Sequence, residues 1–149
     1  MKKIIFTLLS LFSLFSLSSC KKEAIHFIEF PQFEGLNRED IVSIEIGWES
    51  YNDNTIPDYK ISNTNFYVVK NDEIFNQILD ELFDEENEYI KSESEVYTKG
   101  YIIIKTKDST FFEFIPAYQK YGNTKTYYTC VNYDLLKIMY DYGKDNNYI

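Results

Sequence analysis

The alternation of apolar and polar residues is clearest between Ile41 and Trp48. Val42, Ile44, Ile46 and Trp48 fall on one side of an extended chain, with Ser43, Glu45 and Gly47 on the other. Period two with one wet face predicts an antiparallel strand. A different period governs residues 71–84, where Ile74, Phe75, Ile78, Leu79, Leu82 and Phe83 make one helical stripe. Asn71 stands at the N-cap position, and Asp72 and Glu73 occupy the first turn, where the helix dipole favours carboxylates. So wide a stripe predicts a helix lying on a sheet.

Further along, Tyr101–Lys107 and Thr110–Ile115 flank Asp108-Ser109, which reads as the two-residue turn of a hairpin. That turn sets Ile103 opposite Phe114 and Lys105 opposite Phe112. Tyr101, Ile103, Phe112 and Phe114 then share a face, and Ile102, Ile104 and Ile115 share the other with Glu113 and Thr106. Two partly apolar faces place the hairpin inside the sheet, and Pro116 ends it. Phe66–Val69 and Thr126–Val131 read as short strands, with 49–65 and 118–124 as connections. Leu135, Leu136, Ile138, Met139 and Tyr142 mark a last helix, capped by Asn132 and stopped by Gly143, before a frayed tail from Asp145. Two helices packed on one face of a small antiparallel sheet make an α+β domain. A parallel βαβ arrangement is the alternative, and the hairpin argues against it.

The amino-terminal pattern is of another kind. Lys2 and Lys3, an apolar segment from Ile4 to Leu17 and two serines have the layout of an export signal over residues 1–19. The run Leu17-Ser18-Ser19-Cys20 closely resembles the lipobox of bacterial lipoproteins. The resemblance covers residues 1–20 alone. It implies cleavage before Cys20, a diacylglycerol on the Cys20 thiol and an acylated new amino terminus. It also implies a bilayer as partner and a lipid-anchored place at the bacterial cell membrane. Lys21, in place of an aspartate after the cysteine, points to the outer membrane where the cell has two. Residues 20–40 then form the lipidated cysteine and a tether, with an edge strand at 24–30 stopped by Pro31, and 41–149 form a single domain. No later apolar run approaches the roughly 20 residues needed to cross a bilayer.

Charge narrows the partners. The 149 residues carry 24 acidic and 15 basic side chains, a balance of −9. Losing Lys2 and Lys3 with the signal moves −9 to −11. Nucleic acid is excluded, since its binding needs a basic patch. Eight carboxylates lie between Asp80 and Glu95 against Lys91 alone. They read as a solvated helix end and linker. A calcium site is the alternative, without the central glycine of an EF-hand loop. Glu85, Glu86 and Glu88 are the candidate contacts for a basic envelope protein, with Tyr118 and Tyr121 as aromatic contacts. The 14 tyrosines equally fit a compositional bias.

Catalytic chemistry finds little to work with. Once Cys20 carries lipid, Cys130 is the only thiol left, so no intrachain disulfide forms, and its alternation with Tyr128 reads as a buried small hydrophobe. The single histidine, His26, and five scattered glycines supply no zinc set, nucleophile–base pair or phosphate loop. No catalytic residue, metal or cofactor is expected. The reading is a binding or structural protein of the envelope rather than an enzyme. The alternatives are an inhibitor or immunity-type binder of a basic enzyme, and a hydrolase with a dispersed carboxylate site.

Overall fold

A computed structural model describes residues 24–49, 64–92, 100–116, 118–130 and 133–149. The strands are β1 (Ala24–Ile25), β2 (Ile41–Glu49), β3 (Thr64–Val68), β4 (Tyr89–Ser92), β5 (Gly100–Thr106), β6 (Phe111–Phe114), β7 (Tyr118–Lys120) and β8 (Tyr127–Cys130). The helices are α1 (Asp72–Leu82) and α2 (Asp134–Asp145). The fold is α+β, as the patterning predicts, but with two sheets in place of one. Their strand orders are β3-β2-β5-β6 and β1-β4-β8-β7, and every pairing is antiparallel.

The chain between β1 and β2 joins the sheets. Three short 3-10 turns, Phe27–Glu29, Pro31–Phe33 and Arg38–Asp40, replace the expected tether. Phe27, Phe30, Phe33 and Leu36 are all buried. They recur every third residue, and side chains three apart eclipse on a 3-10 turn. Phe30 packs edge-on against Tyr89 and Tyr128 of one sheet, at 5.3 and 5.7 Å between ring centroids. Phe27 and Phe33 meet Phe114 of the other sheet at 5.0 and 5.7 Å. The folded domain therefore takes in residues from 24 onward, and only Ala24–Ile25 of the expected edge strand pairs.

On β2, Ile44 and Ile46 are fully buried as the alternation predicts. Val42 is not: the β2–β5 register shifts between Ile41 and Ser43, so Ile41 is buried and Val42 is 51% exposed. A bulge inserts one residue and reverses the alternation beyond it. The β5–β6 hairpin also differs from its expected register. Ile102 faces Phe114 and Ile104 faces Phe112, one residue away from the pairing a two-residue turn would give. Thr106 N–H donates to Thr110 C=O at 3.0 Å, closing a three-residue loop of Lys107, Asp108 and Ser109, with Ser109 left-handed at φ 66°. A slip of one moves every side chain to the other face. Ile102 and Ile104 thus join Phe112 and Phe114 on the core side, leaving Ile103 outside with Glu113. Strand β5 is central and β6 is an edge.

Helix α1 follows its stripe. Asn71 Oδ1 accepts from Glu73 and Ile74 N–H, at 2.9 and 3.1 Å. Ile78, Leu79 and Leu82 are buried, and Ile74, Phe75 and Phe83 pack half-buried against the same core. Helix α2 carries Leu135, Met139 and Tyr142 inward, and the two helices contact each other. Gly143 does not stop α2, which runs to Asp145. Asn147, at φ 58°, ends it in a left-handed cap. Tyr148 N–H then donates to Gly143 C=O at 2.8 Å, and its ring stacks on Tyr67 with centroids 4.0 Å apart. The expected frayed tail is tied down. Asn132, Glu93, Glu95 and residues 1–23 lie outside the described residues, as does the side chain of Cys130. Among the described residues, no helix is long and apolar enough to cross a membrane.

Candidate functional site

A groove of about 410 Å³ opens where the first 3-10 turn meets the carboxyl end of α1. Phe27, Ile28, Leu82 and Phe83 give it apolar walls, and His26, Glu29, Asp84 and Glu85 its polar ones. Ile28 is 51% exposed while Phe27 and Leu82 are buried. The floor is thus fixed by the core and one rim residue is left for contact. Phe27 and Phe83 meet edge-on at 5.5 Å, closing the base of the groove.

Both walls are shaped by local hydrogen bonding. His26 N–H donates to Glu29 Oε2 at 2.6 Å, and Glu29 N–H donates back to His26 C=O at 3.0 Å. The His26 ring nitrogen Nδ1 is buried and has no hydrogen-bond partner. Opposite, Phe83 N–H donates to Leu79 C=O and closes α1. Asp84 Oδ1 accepts from Glu86 N–H at 2.8 Å, and Asn87 N–H donates to Asp84 C=O at 3.1 Å. The Asn87 side-chain amide reaches back to Glu81 C=O at 2.7 Å, satisfying one of the carbonyls a helix end leaves open. This compact turn presents Glu85 and Glu86, both exposed, followed by exposed Glu88 at the mouth of β4.

The electrostatics of that turn run against the helix. The carboxyl end of a helix carries partial negative charge and favours cations. The last turn of α1 has no basic residue, and Asp84, Glu85, Glu86 and Glu88 follow it directly. Asp80, one turn earlier, is paired with Arg38 at 2.6 Å. The negative charge beyond it accumulates where the backbone already repels it.

The aromatic candidates lie elsewhere. Strands β4 and β7 both run antiparallel to β8, so they point the same way. Glu88 precedes the first residue of β4, whereas Tyr121 follows the last residue of β7, placing them at opposite ends of the sheet. Tyr121 is half-buried, its ring 6.2 Å from Phe30 and 5.6 Å from Tyr128. Tyr118 pairs with Thr129 in β7, and its side chain lies outside the described set. The groove residues that patterning missed are His26, Phe27, Ile28 and Glu29. The three-residue spacing of Phe27, Phe30 and Phe33 is the signal that marks them.

A second cleft, of about 380 Å³, lies between residues 34–40 and the β5–β6 loop. Its polar groups hold one another. Lys107 Nζ is 3.6 Å from Asp40, and Lys107 N–H donates to Asp40 C=O at 2.8 Å. Asp108 accepts from the Thr106 hydroxyl and from Thr110 N–H. Those bonds, the Thr106 hydroxyl first, hold the Asp108 carboxyl below its ordinary pKa. The Lys107–Asp40 contacts join the two sides of this cleft. Among the described residues, no three His, Cys, Asp or Glu side chains converge on a metal-sized site. No family model matches the chain, and none of the curated proteins or solved structures compared with it matches either.

Proposed function

We propose that this chain is a lipid-anchored protein of the bacterial envelope, held by acylated Cys20, whose α+β domain works by binding a cationic protein segment in the groove between His26–Glu29 and Leu82–Glu85. The anchor rests on the order of charge, apolar segment, serines and cysteine ending at Leu17-Ser18-Ser19-Cys20. The binding role rests on one observation: an apolar-floored groove is rimmed by carboxylates placed against the negative end of α1. Local rules broken in this way concentrate at functional sites. A lysine- or arginine-bearing segment in the groove would relieve the repulsion and cover Ile28. Opposite charge would also speed its encounter with the domain.

Photo-crosslinkers placed at Ile28 and Glu85, with Phe111 on the edge strand β6 as control, test this in intact envelopes. Capture of one partner from positions 28 and 85 but not 111 is the expected result. With that partner purified, neutralising Glu85, Glu86 and Glu88 together slows association several-fold at low salt. The effect shrinks near 1 M salt, where the Debye length is about 3 Å. Association rates equal to the wild type at every salt concentration would remove the groove from the interface. Intact mass of the membrane-extracted protein tests the anchor separately, through a chain beginning at Cys20 plus acyl mass.

A further inference from the structure

We infer that the β7–β8 turn, residues 121–126, together with Lys120 is a second interaction surface, which rests on anionic lipid headgroups and turns the acidic groove away from the membrane. The inference builds on the lipid anchor of the preceding section and adds which face of the domain meets the bilayer.

Chain length makes the first argument. Three residues, Lys21, Lys22 and Glu23, separate Cys20 from Ala24. Four Cα-to-Cα steps span at most about 14 Å, so a lipid on Cys20 holds Ala24 close to the headgroups. Topology then selects the end of the sheet. Ala24 faces Ile90 and Ile25 faces Tyr89 in antiparallel register, so the amino end of β1 points toward Ser92. Ser92 pairs with Tyr127, and Tyr127 pairs with Lys120. The amino end of β1, the carboxyl ends of β4 and β7 and the β7–β8 turn therefore share one end of the sheet. The acidic turn 84–88, which precedes β4, occupies the other.

Charge follows the same division. The described residues 90–92 and 118–128 carry Lys91, Lys120 and Lys125 and no carboxylate, and all three lysines are exposed. Within three residues of this end in sequence stand Glu23, Glu93 and Glu95, against Lys21 and Lys22 as well as the three lysines. The opposite end carries Asp84, Glu85, Glu86 and Glu88. Each basic residue near an anionic leaflet strengthens apposition about fivefold, and the field fades within a Debye length. A domain with lysines at one end and carboxylates at the other is therefore oriented as well as held.

The turn is built to keep this geometry. Tyr121 N–H donates to Thr126 C=O at 3.0 Å, and the Thr124 hydroxyl donates to Tyr121 C=O at 2.7 Å. Thr126 N–H donates to Thr124 Oγ1 at 3.0 Å. Gln32, on the second 3-10 turn, clamps this loop: its Nε2 donates to Lys120 C=O at 2.7 Å and its Oε1 accepts from Gly122 N–H at 3.0 Å. Asn123, Thr124 and Lys125 stand exposed at the tip. Half-buried Tyr121 and Tyr127 flank it, and their amphipathic rings suit the headgroup level.

Amide hydrogen exchange of the membrane-extracted chain tests this surface, after reconstitution in vesicles of pure phosphatidylcholine and of phosphatidylcholine with phosphatidylglycerol. Exchange over 121–126 is expected to slow about fivefold or more on the anionic vesicles only. Exchange over 84–88 should be the same on both. Lys120→Glu with Lys125→Glu abolishes the slowing, whereas Lys70→Glu leaves it. Equal exchange over 121–126 on both vesicle types would overturn the proposal, as would protection falling on 84–88. If intact mass shows no acyl group, the anchor fails by itself. Coupling Cys20 of a Cys130→Ala chain to a maleimide-bearing phospholipid then lets the same measurement decide the surface independently.

Discussion

Gly143 lies so close to the indole of Trp48 that a Cβ on it would come within 2.5 Å of the ring carbon Cη2. The glycine sits inside α2, where glycine costs about 1 kcal/mol relative to alanine. Close approach explains why it is there. The last helix docks onto β2 through this contact, and Tyr142, one residue earlier, accepts from Lys70 N–H at 3.1 Å. Gly143→Ala should therefore destabilise the domain by about 1–3 kcal/mol despite the better helix propensity. Combining it with Trp48→Phe should recover part of the loss in denaturant unfolding. A stabilised Gly143→Ala single variant would mean that the indole moves aside freely.

Phe30 is fully buried between Tyr89 and Tyr128, within a segment whose composition suggests a mere tether. Phe30→Ala should cost about 3–5 kcal/mol, for lost burial and the cavity left behind. Thermal or denaturant unfolding reads it. A cost below about 0.5 kcal/mol would return residues 24–36 to the role of a tether.

Leu79, buried in the α1 stripe, gives the corresponding test of the helix. Leu79→Ala should lose about 2–4 kcal/mol. Glu73→Gln, an exposed first-turn residue, should lose only a few tenths from the helix dipole. Similar costs for the two would show that α1 is held by its local propensity and not by its packed face.

Asp108 predicts a pH dependence. Its carboxyl is depressed chiefly by the Thr106 hydroxyl and then by Thr110 N–H. A depressed carboxylate adds stability above its unfolded pKa, and that stability is lost as pH falls through the lower folded value. Asp108→Asn should therefore be less stable than the wild type at neutral pH, with the gap closing on titration below about pH 4. Thermal unfolding across that range measures it. A gap of constant size down to about pH 2 would show that the ionised carboxylate contributes nothing to the loop.

The amino-acid order by itself determined the elements that rest on periodicity and local chemistry. The α1 stripe with its Asn71 cap, the buried Ile44 and Ile46, and the α+β class all follow from which residues must leave water and which backbone donors need partners. The anchor proposed at Cys20 rests on linear order alone, since the resemblance lies entirely within residues 1–20. Tertiary structure decided whatever depended on a partner far along the chain. The hairpin register turned on one loop residue, because Thr106, Asp108 and Thr110 bond one another across three residues, whereas Asp108-Ser109 alone reads as a two-residue turn. Strands β4 and β7 are too short and too polar to declare themselves; pairing with β8 makes them. Gly143 looks like a helix stop until Trp48 fills the space beside it. The acidic run was visible as charge. Its place after the α1 stripe was legible too, but only folding set it beside a groove and at the far end of the sheet from Lys120 and Lys125, because strand direction, not sequence distance, decides which charges share a surface.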